Sequence, residues 1–170
     1  GTGDQVYLGT KGESDRVKIA IDSTRNQVVT QNNLPIKTYY HSRCGGLTEP
    51  ANRVWNNSAE KINSSVPCPY CRKFPYIWKT RLKTKDFFSA LRIGTTDFKP
   101  FKISLSSTTN TGRVKEIEIE TDHEKHLVNS EEIRHLLGYS QIKSTRFQIK
   151  VNKDDIVFEG MGAGHGVGMC

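Results

Sequence analysis

Alternating apolar and polar positions dominate the chain and predict a mainly β structure. Residues 16–24, RVKIAIDST, carry β-branched side chains at every second position, which is typical of a half-buried strand. Two further short apolar runs, at 28–30 and 36–40, flank the segment QNNLP. Asparagine and proline at such a position favour a tight turn, so these two runs are expected to form a hairpin.

The second half of the chain repeats this pattern in two longer hairpins. Residues 101–107 and 113–122 flank TTNTG, and residues 146–160 change direction at NKDD. In the segment EIEIE the isoleucines Ile117 and Ile119 are expected to face the core, with the glutamates facing solvent.

Helical patterns are short. One is predicted at 85–91 with Thr84 as its N-cap, and another at 130–137, where Ser130 is the expected N-cap and Gly138 ends the helix. The predicted fold class is therefore α+β, predominantly antiparallel β with a few short helices. Nothing marks an internal linker, so residues 1–170 are expected to form a single domain.

The chain is basic, which restricts the class of partner. Its formal net charge is +7 with a pI near 9.3, a balance that attracts nucleic acid, anionic lipid or the acidic polymers of a bacterial wall. The cations do not interleave with aromatic residues as in nucleic-acid readers, so solubility and wall affinity are the preferred interpretation. A run of alternating basic residues predicts the solvated face of an edge strand. That run comprises Lys79, Arg81, Lys83 and Lys85. No apolar run approaches the roughly 20 residues of a membrane span.

The segment HSRCGGLTEP, residues 41–50, concentrates chemically active side chains after a predicted strand. The pair Gly45 and Gly46 lets the backbone turn sharply or approach a ligand. The candidate site residues here are His41, Ser42, Thr48 and Glu49. A glycine turn with incidental polar neighbours is the alternative interpretation.

The cysteines allow three interpretations. His41 and Cys44 stand three apart, as do Cys68 and Cys71, so HxxC and CxxC together offer the four ligands of a structural zinc site. A disulfide from Cys44 to Cys68 or Cys71, or free thiols, are the alternatives. A fourth thiol, Cys170, is left over both from the four zinc ligands and from a single disulfide.

The chain ends in a glycine-rich run around one imidazole, GMGAGHGVGM at 160–169. It lacks the lysine and hydroxyl residue of a phosphate-binding loop, so that match is weak. Gly164 and Gly166 instead allow the backbone to pass close to a groove and present His165, which can both donate and accept hydrogen bonds. A tight turn with a solvated histidine is the alternative. The other histidines, His123, His126 and His135, are expected at the surface.

Taken together, these stretches resemble the SpoIID/LytB family, which includes stage II sporulation protein D and the amidase-enhancer proteins. The matching stretches are GDQVYLG, YYHSRCGGLTEPANRVW, NSSVPCPYCRKFPYIW, EEIRHLLGYSQIKSTRFQI and the terminal GMGAGHGVGMC. They run in order through essentially the whole chain, and the glycine-histidine terminus and HSxCGGxTE are the most specific of them.

The resemblance implies a SpoIID-like catalytic core and a peptidoglycan lytic transglycosylase. Such an enzyme cleaves the bond between N-acetylmuramic acid and N-acetylglucosamine in stem-peptide-free glycan strands and leaves a 1,6-anhydro end. One carboxyl group acts first as acid and then as base. A non-catalytic glycan-binding module that enhances an N-acetylmuramoyl-L-alanine amidase is the alternative.

The family's catalytic glutamate lies in an N-terminal motif that is absent from these residues. The chain therefore resembles a C-terminal fragment of the family domain, and the main general acid is expected outside it, with Glu49 as the best-placed carboxylate within it. His41, Ser42, Thr48 and His165 are expected to line the cleft, and one structural zinc is the expected cofactor. The resemblance also implies an extracytoplasmic location, in the periplasm or cell wall, and a membrane-anchored or secreted parent.

Overall fold

The computed structural model describes residues 12–55, 62–94, 101–121, 124–152 and 154–170. The chain divides into two compact units, Gly1–Lys37 and Thr38–Cys170. The GDQVYLG stretch and His123 lie outside the described residues. No helix in the described ranges is long and apolar enough to cross a membrane.

The first unit begins with helix α1, Asp15–Ser23, so the strand predicted for residues 16–24 is wrong. Ser14 caps this helix by accepting a hydrogen bond from the backbone N–H of Val17, and Asp15 places a negative charge in its first turn. Its β-branched residues are exposed, Ile19 to 69%. No residue of α1 is buried, so among the described residues nothing covers the alternating face, and the capping signals at Ser14 and Asp15 favour the helix.

The predicted QNNLP hairpin is present but short. Strands β1 (Thr30–Gln31) and β2 (Leu34–Pro35) pair antiparallel. Asn32 and Asn33 both have positive φ, 52° and 59°, which is the conformation of a two-residue hairpin turn that asparagine tolerates. The turn was predicted correctly, but of the strand residues predicted at 28–30 and 36–40 only Thr30 belongs to β1 or β2.

The second unit contains two antiparallel three-stranded sheets, and the predicted α+β class is confirmed. One sheet has the order β3-β8-β7 and the other β4-β5-β6. The strands are β3 (Ile77–Lys83), β4 (Lys102–Thr108), β5 (Val114–Glu120), β6 (Lys125–Asn129), β7 (Phe147–Val151) and β8 (Asp155–Met161). Both long predicted hairpins are therefore confirmed, as β4-β5 and β7-β8.

The hydrophobic core lies among these strands and two helices. Ile117 and Ile119 are fully buried as predicted, and the phenylalanines of helix α4 and of β8 pack with them. The helices of this unit are α2 (Ala51–Val54), α3 (Pro69–Lys73), α4 (Thr84–Ala90) and α5 (Ser130–Leu137). The predicted caps are displaced by one residue. Lys83 and Asn129 are the N-caps, because Thr84 and Ser130 already belong to the helices.

Strand β3 is an edge strand with a charged outer face, as the basic alternation predicted. Lys79 pairs with Glu159 at 2.8 Å, while Arg81 and Lys83 both pair with Asp155. The three basic side chains are more than half exposed, so solvent screens these pairs and each adds little net stability. Outside the core, His135 is exposed as predicted, and His126 is partly exposed beside Glu124.

Candidate functional site

The two loops singled out in the sequence meet in the structure. Arg43 exchanges backbone hydrogen bonds with Ala163, the N–H of His41 donates to Met169 O at 3.0 Å, and the N–H of Glu49 donates to Gly166 O at 2.8 Å. The prediction that residues 41–49 and the glycine-rich terminus come together is therefore confirmed. We call the junction of these two loops the candidate site.

The glycines of the terminal run are required by this close approach. Gly164 has φ +98°, and a Cβ there would lie 2.8 Å from the Cβ of His41. Gly166 has φ +86°, and a Cβ there would lie 2.3 Å from a guanidinium nitrogen of Arg113. Both distances are shorter than van der Waals contact, and both φ values disfavour side chains. The run is therefore glycine-rich because its backbone packs against the first loop and Arg113.

Glu49 is 1% exposed and its carboxylate is held from one side. Thr109 and Thr111, from the turn between β4 and β5, both donate their hydroxyl hydrogens to Glu49 Oε2. Arg113 Nε lies 3.7 Å from the same oxygen. The other oxygen, Oε1, is buried and has no hydrogen-bond partner among the described residues. These contacts suit a carboxylate that accepts hydrogen bonds.

Arg113 is the cation of the candidate site and is 2% exposed. Its Nη2 donates to Cys44 O at 2.9 Å, and its side chain lies against the backbone of Gly166. Burial lowers the pKa of the guanidinium, and the charge of Glu49 acts in the opposite direction. Arg113 thus connects Glu49 to both loops.

One residue, Val167, sets the tautomers of the two histidines. Its carbonyl lies 3.0 Å from His41 Nδ1 and so accepts a hydrogen bond from that nitrogen. Its N–H donates to His165 Nδ1 at 3.0 Å. His41 therefore carries its hydrogen on Nδ1 and His165 carries its hydrogen on Nε2. His41 Nε2 is left as a buried lone pair without a hydrogen-bond partner among the described residues.

Both imidazoles are held neutral. Burial lowers the pKa of His41, against a hydrogen bond to Val167, and the positive charge of Arg113 lowers it further. Burial is the largest cause that lowers the pKa of His165, to about 4; the neighbouring imidazole of His41 and the charges of Arg134 and Arg113 act in the same direction, and a backbone hydrogen bond with Tyr40 opposes them. At neutral pH the candidate site therefore presents a hydrogen-bond acceptor, not a cation, at His41.

Aromatic rings surround the two imidazoles. The Trp55 ring lies 5.0 Å from that of His165 and 4.6 Å from that of Tyr39, and the two imidazole rings are 5.7 Å apart. Trp55 lies in the YYHSRCGGLTEPANRVW stretch, but no role was predicted for it. A partly exposed indole beside polar groups is suited to stacking against a ligand with an apolar face.

A polar cleft of ≈ 260 Å³ opens next to Glu49. Its walls include Arg53, Asn63, Thr109 and Asn110, so it is lined mainly by hydroxyl, amide and charged groups. A smaller space of ≈ 60 Å³, which also contacts Glu49, lies beside Arg113. Glu49, Arg53 and Thr109 line both spaces.

The four cysteines form one cluster, and the fourth member is Cys170, not the predicted His41. The sulfur atoms of Cys44, Cys68, Cys71 and Cys170 all lie within 4.8 Å of one another, which is compatible with a bound metal. None of them is in a disulfide. His41 was assigned as a ligand by its spacing to Cys44, but its Nδ1 instead contacts Val167 O. The last residue of the chain completes the set because the terminal run lies along the first loop.

Backbone N–H groups point at the sulfurs. Cys44 N contacts Cys170 Sγ and Gly46 N contacts Cys44 Sγ, each at 3.3 Å, and Cys71 N contacts Cys68 Sγ at 3.5 Å. Burial raises the pKa of Cys44 to about 12. For Cys71, burial raises the pKa, but hydrogen bonds from its cysteine neighbours outweigh burial and lower it to about 7. Such N–H groups stabilise anionic sulfur.

The remaining predicted residues have distinct positions. Ser42 is exposed, whereas Thr48 is buried and its hydroxyl accepts a hydrogen bond from Val66 N at 2.8 Å. Gly45 and Gly46 have positive φ, and their carbonyls accept hydrogen bonds from Arg146 and Arg72. Four residues that hold Glu49 and the histidines were not predicted from the sequence: Thr109, Thr111, Arg113 and Val167. The available signal was the segment TTNTGR, because a hairpin turn is made by asparagine and glycine and does not require the additional threonines and arginine.

We expect the Arg113–Glu49 pair to be energetically coupled. Arg113→Met leaves a buried carboxylate without its cation and should lower the free energy of unfolding by about 3 to 5 kcal/mol, measured by urea denaturation. Adding Glu49→Gln should cost less than the sum of the two single changes. Arg81→Met, which breaks an exposed pair, is the control and should cost no more than about 1 kcal/mol. Strict additivity of the double variant would contradict the coupling.

We also expect His165 to titrate near pH 4, followed by NMR from its ring Cε1–H signal. Its pKa is lower in the folded protein than the value of about 6.5 in an unfolded chain, so the unfolded state binds more protons between these values. The stability contribution is therefore complete above pH 6.5 and is lost as the pH falls toward 4. A midpoint near 6.5 would contradict the buried, neutral ring. The exposed imidazole of His135 gives an internal comparison.

Comparison with known proteins identifies relatives over nearly the whole chain. It is 31% identical over 169 residues to stage II sporulation protein D of Bacillus subtilis, covering 95% of this chain and 45% of that protein. It is 29% identical over 167 residues to an uncharacterized protein of Brachyspira hyodysenteriae, covering 98% and 44%. The protein of the same sporulation name from Bacillus amyloliquefaciens is 26% identical over 160 residues, covering 91% and 42%. The chain spans less than half the length of these relatives.

A family model described as a domain of unknown function, DUF8618, matches residues 72–168. This range holds the two sheets, the turn that supplies Arg113, and most of the glycine-rich terminus. The curated relatives extend the similarity to the loop that carries His41 and Glu49. The chain belongs to the DUF8618 family and is related to stage II sporulation protein D.

Proposed function

We propose that this chain is the glycan-binding part of a peptidoglycan lytic transglycosylase that acts on stem-peptide-free strands. The observation that carries the proposal is the junction of the two loops, where Glu49, His41 and His165 come together beside Trp55. Its relation to proteins named for sporulation supports a role in the bacterial cell wall. The proposed location is accordingly extracytoplasmic.

The polar groups of the site match the chemistry of an N-acetylated sugar. In this proposal the Nε2 lone pair of His41 accepts a hydrogen bond from an acetamido N–H or a hydroxyl, and Glu49 Oε1 accepts a second. Both atoms are buried, so glycan binding requires the two loops to expose them. The indole of Trp55 offers a face for the apolar side of a pyranose ring. The adjoining cleft is large enough to admit one sugar ring and is lined by amide and hydroxyl groups.

The proposed reaction needs a proton donor and then a proton acceptor, but no water. An acid protonates the glycosidic oxygen as the bond to the muramic acid C1 breaks. The resulting carboxylate then takes the proton of the C6 hydroxyl as its oxygen bonds to C1, which gives the 1,6-anhydro ring. Glu49 Oε2 already accepts from two threonines and lies beside Arg113, so Glu49 suits recognition better than proton donation. The proposal therefore assigns the acid to a carboxyl group outside these residues.

Because Glu49 suits recognition better than proton donation, a second candidate function is a glycan-binding module without catalytic activity. If the longer protein supplies no acid to this site, the chain would bind glycan without cleaving it and would act on the wall by assisting an amidase. This alternative and the transglycosylase share one ligand, the glycan strand, and differ in whether bonds are broken. Nucleic acid is not a proposed partner under either.

The test is digestion of stem-free glycan strands by the longer protein, with products identified by mass spectrometry. The expected products carry 1,6-anhydro ends. His41→Gln should reduce turnover at least about tenfold, the cost of losing one buried hydrogen bond, whereas His135→Gln on the exposed face of α5 should not. New reducing ends would contradict the transglycosylase, and binding without soluble fragments would support the amidase-assisting alternative.

We further propose that the four thiolates bind one structural zinc ion. A tetrahedral Zn–S₄ site has sulfur–sulfur separations of about 3.8 Å, and the four sulfurs lie within 4.8 Å of one another. Four protein ligands leave no open position for a catalytic water. When bound, the zinc supplies a cross-link and neutralises the thiolates, and it takes no part in the reaction.

Metal analysis by mass spectrometry tests this ligand set. The purified protein should contain one zinc per chain, and Cys170→Ser should lose most of it after dialysis against a chelator. His41→Gln should retain zinc, because the fourth ligand in the cluster is Cys170 and not His41. Loss of zinc in His41→Gln with retention in Cys170→Ser would contradict the set.

A further inference from the structure

The part of the chain that forms the candidate site has almost no hydrophobic core of its own. We call the segments 38–55, 62–76 and 162–170 the site layer; all lie in the second unit. Every described residue of the main core cluster belongs instead to the sheets, α4, α5 and their connections. Among the described residues of the site layer, the buried apolar side chains are Ala51 and Val167, together with two cysteines.

Such a layer is not stabilised by apolar burial alone. A buried valine contributes about 1.5 to 3 kcal/mol, whereas ordering the backbone costs about 1 to 2 kcal/mol for every residue. Main-chain hydrogen bonds between the segments add modest net stability. The layer therefore needs a further cross-link, as small metal-binding domains do.

The cysteine cluster is distributed so that it can provide this cross-link. Each of the three segments contributes at least one sulfur: Cys44 from the first, Cys68 and Cys71 from the second, and Cys170 from the third. A single ion bound by these four atoms joins all three segments at once. Cys44 is three residues from His41, and Cys170 is three residues from Val167, which orients both imidazoles.

We propose that metal binding at Cys44, Cys68, Cys71 and Cys170 assembles the site layer as a folding unit separable from the two sheets. This inference rests on the proposed zinc site and adds a consequence to it. Removal of the metal releases the terminal run and separates His165 from His41, while the strands and α5 remain folded. Glycan binding is then metal-dependent although the metal does not contact the glycan.

The two tryptophans of the chain report on the two parts separately. Trp55 lies in the site layer against Tyr39 and His165, whereas Trp78 is 5% exposed in the core. Trp78→Phe leaves Trp55 as the sole indole, and Trp55→Phe leaves Trp78. Each variant is titrated with a zinc chelator in reducing buffer, and the zinc content is measured on the same samples.

Zinc removal should shift the emission of Trp55 to longer wavelength and leave that of Trp78 unchanged. Hydrogen exchange of the unsubstituted protein provides the second measurement, independent of the tryptophan variants. The amides of Arg43, Glu49 and Ala163 should lose protection, whereas those of β5 and β8 should keep it. Cys170→Ser should show the same emission shift and the same loss of amide protection without any chelator. Met169→Ser, at the exposed neighbouring position, should show neither.

The outcomes separate this inference from the proposals on which it depends. Zinc loss with unchanged Trp55 emission and unchanged hydrogen exchange would contradict the inference that metal binding assembles the site layer, but would be consistent with the zinc site itself. Simultaneous loss of structure at Trp55 and Trp78 would overturn the separability. A protein that never contains zinc, or whose mass is lower by two hydrogens through a disulfide, would overturn both zinc statements. The glycan proposal stands or falls separately, by the digestion experiment.

Discussion

The candidate site depends on one main-chain contact, the close packing of residues 162–168 against residues 41–49. Because Gly164 and Gly166 have no side chains, the two backbones approach until Glu49 N reaches Gly166 O at 2.8 Å. The contact brings Val167 between His41 and His165, where its carbonyl and its N–H fix opposite tautomers of the two rings. A larger residue at either glycine would displace the terminal run and with it both imidazoles.

The geometry of this arrangement is fixed by polar groups and sulfur more than by packed hydrocarbon. Arg113, from the start of the adjacent sheet, reaches Cys44 O and the carboxylate of Glu49 while lying under Gly166. A buried cation of this kind contributes little net stability but fixes the geometry of its partners, because each alternative arrangement leaves a charge unpaired. The cysteine cluster is joined to the same loop through Cys44. The sheets thus support the site, and Arg113 and the cysteine cluster hold its loops in place.

Much of the fold could be predicted from local patterns, for reasons that the structure makes clear. The alternation in EIEIE corresponds to a strand with one buried and one solvated face, and TTNTG and NKDD are true hairpin connections. The same alternation failed at residues 16–24, where Ser14 and Asp15 favour a helix and none of the helix residues is buried. Periodicity identifies a surface that can be buried, but it does not provide the partner that buries it.

The two loops that form the site could be identified from the sequence, but the residues that contact their side chains could not. The glycines, His41, Glu49 and His165 are conspicuous in the sequence, and the loops that carry them do meet. The fourth ligand was assigned to His41 because ligand spacing is a local measure, whereas Cys170 comes from the far end of the sequence. Thr109, Thr111 and Arg113 were missed for the same reason.

The most direct test of this account is the tautomeric state of the two histidines at pH 7, measured from the ¹⁵N chemical shifts of their ring nitrogens. The account predicts that His41 carries its hydrogen on Nδ1 and His165 on Nε2, because both are bound to the backbone of Val167. If both rings instead carry the hydrogen on Nε2, or if both are protonated, the two loops do not share Val167 and the site described above is contradicted.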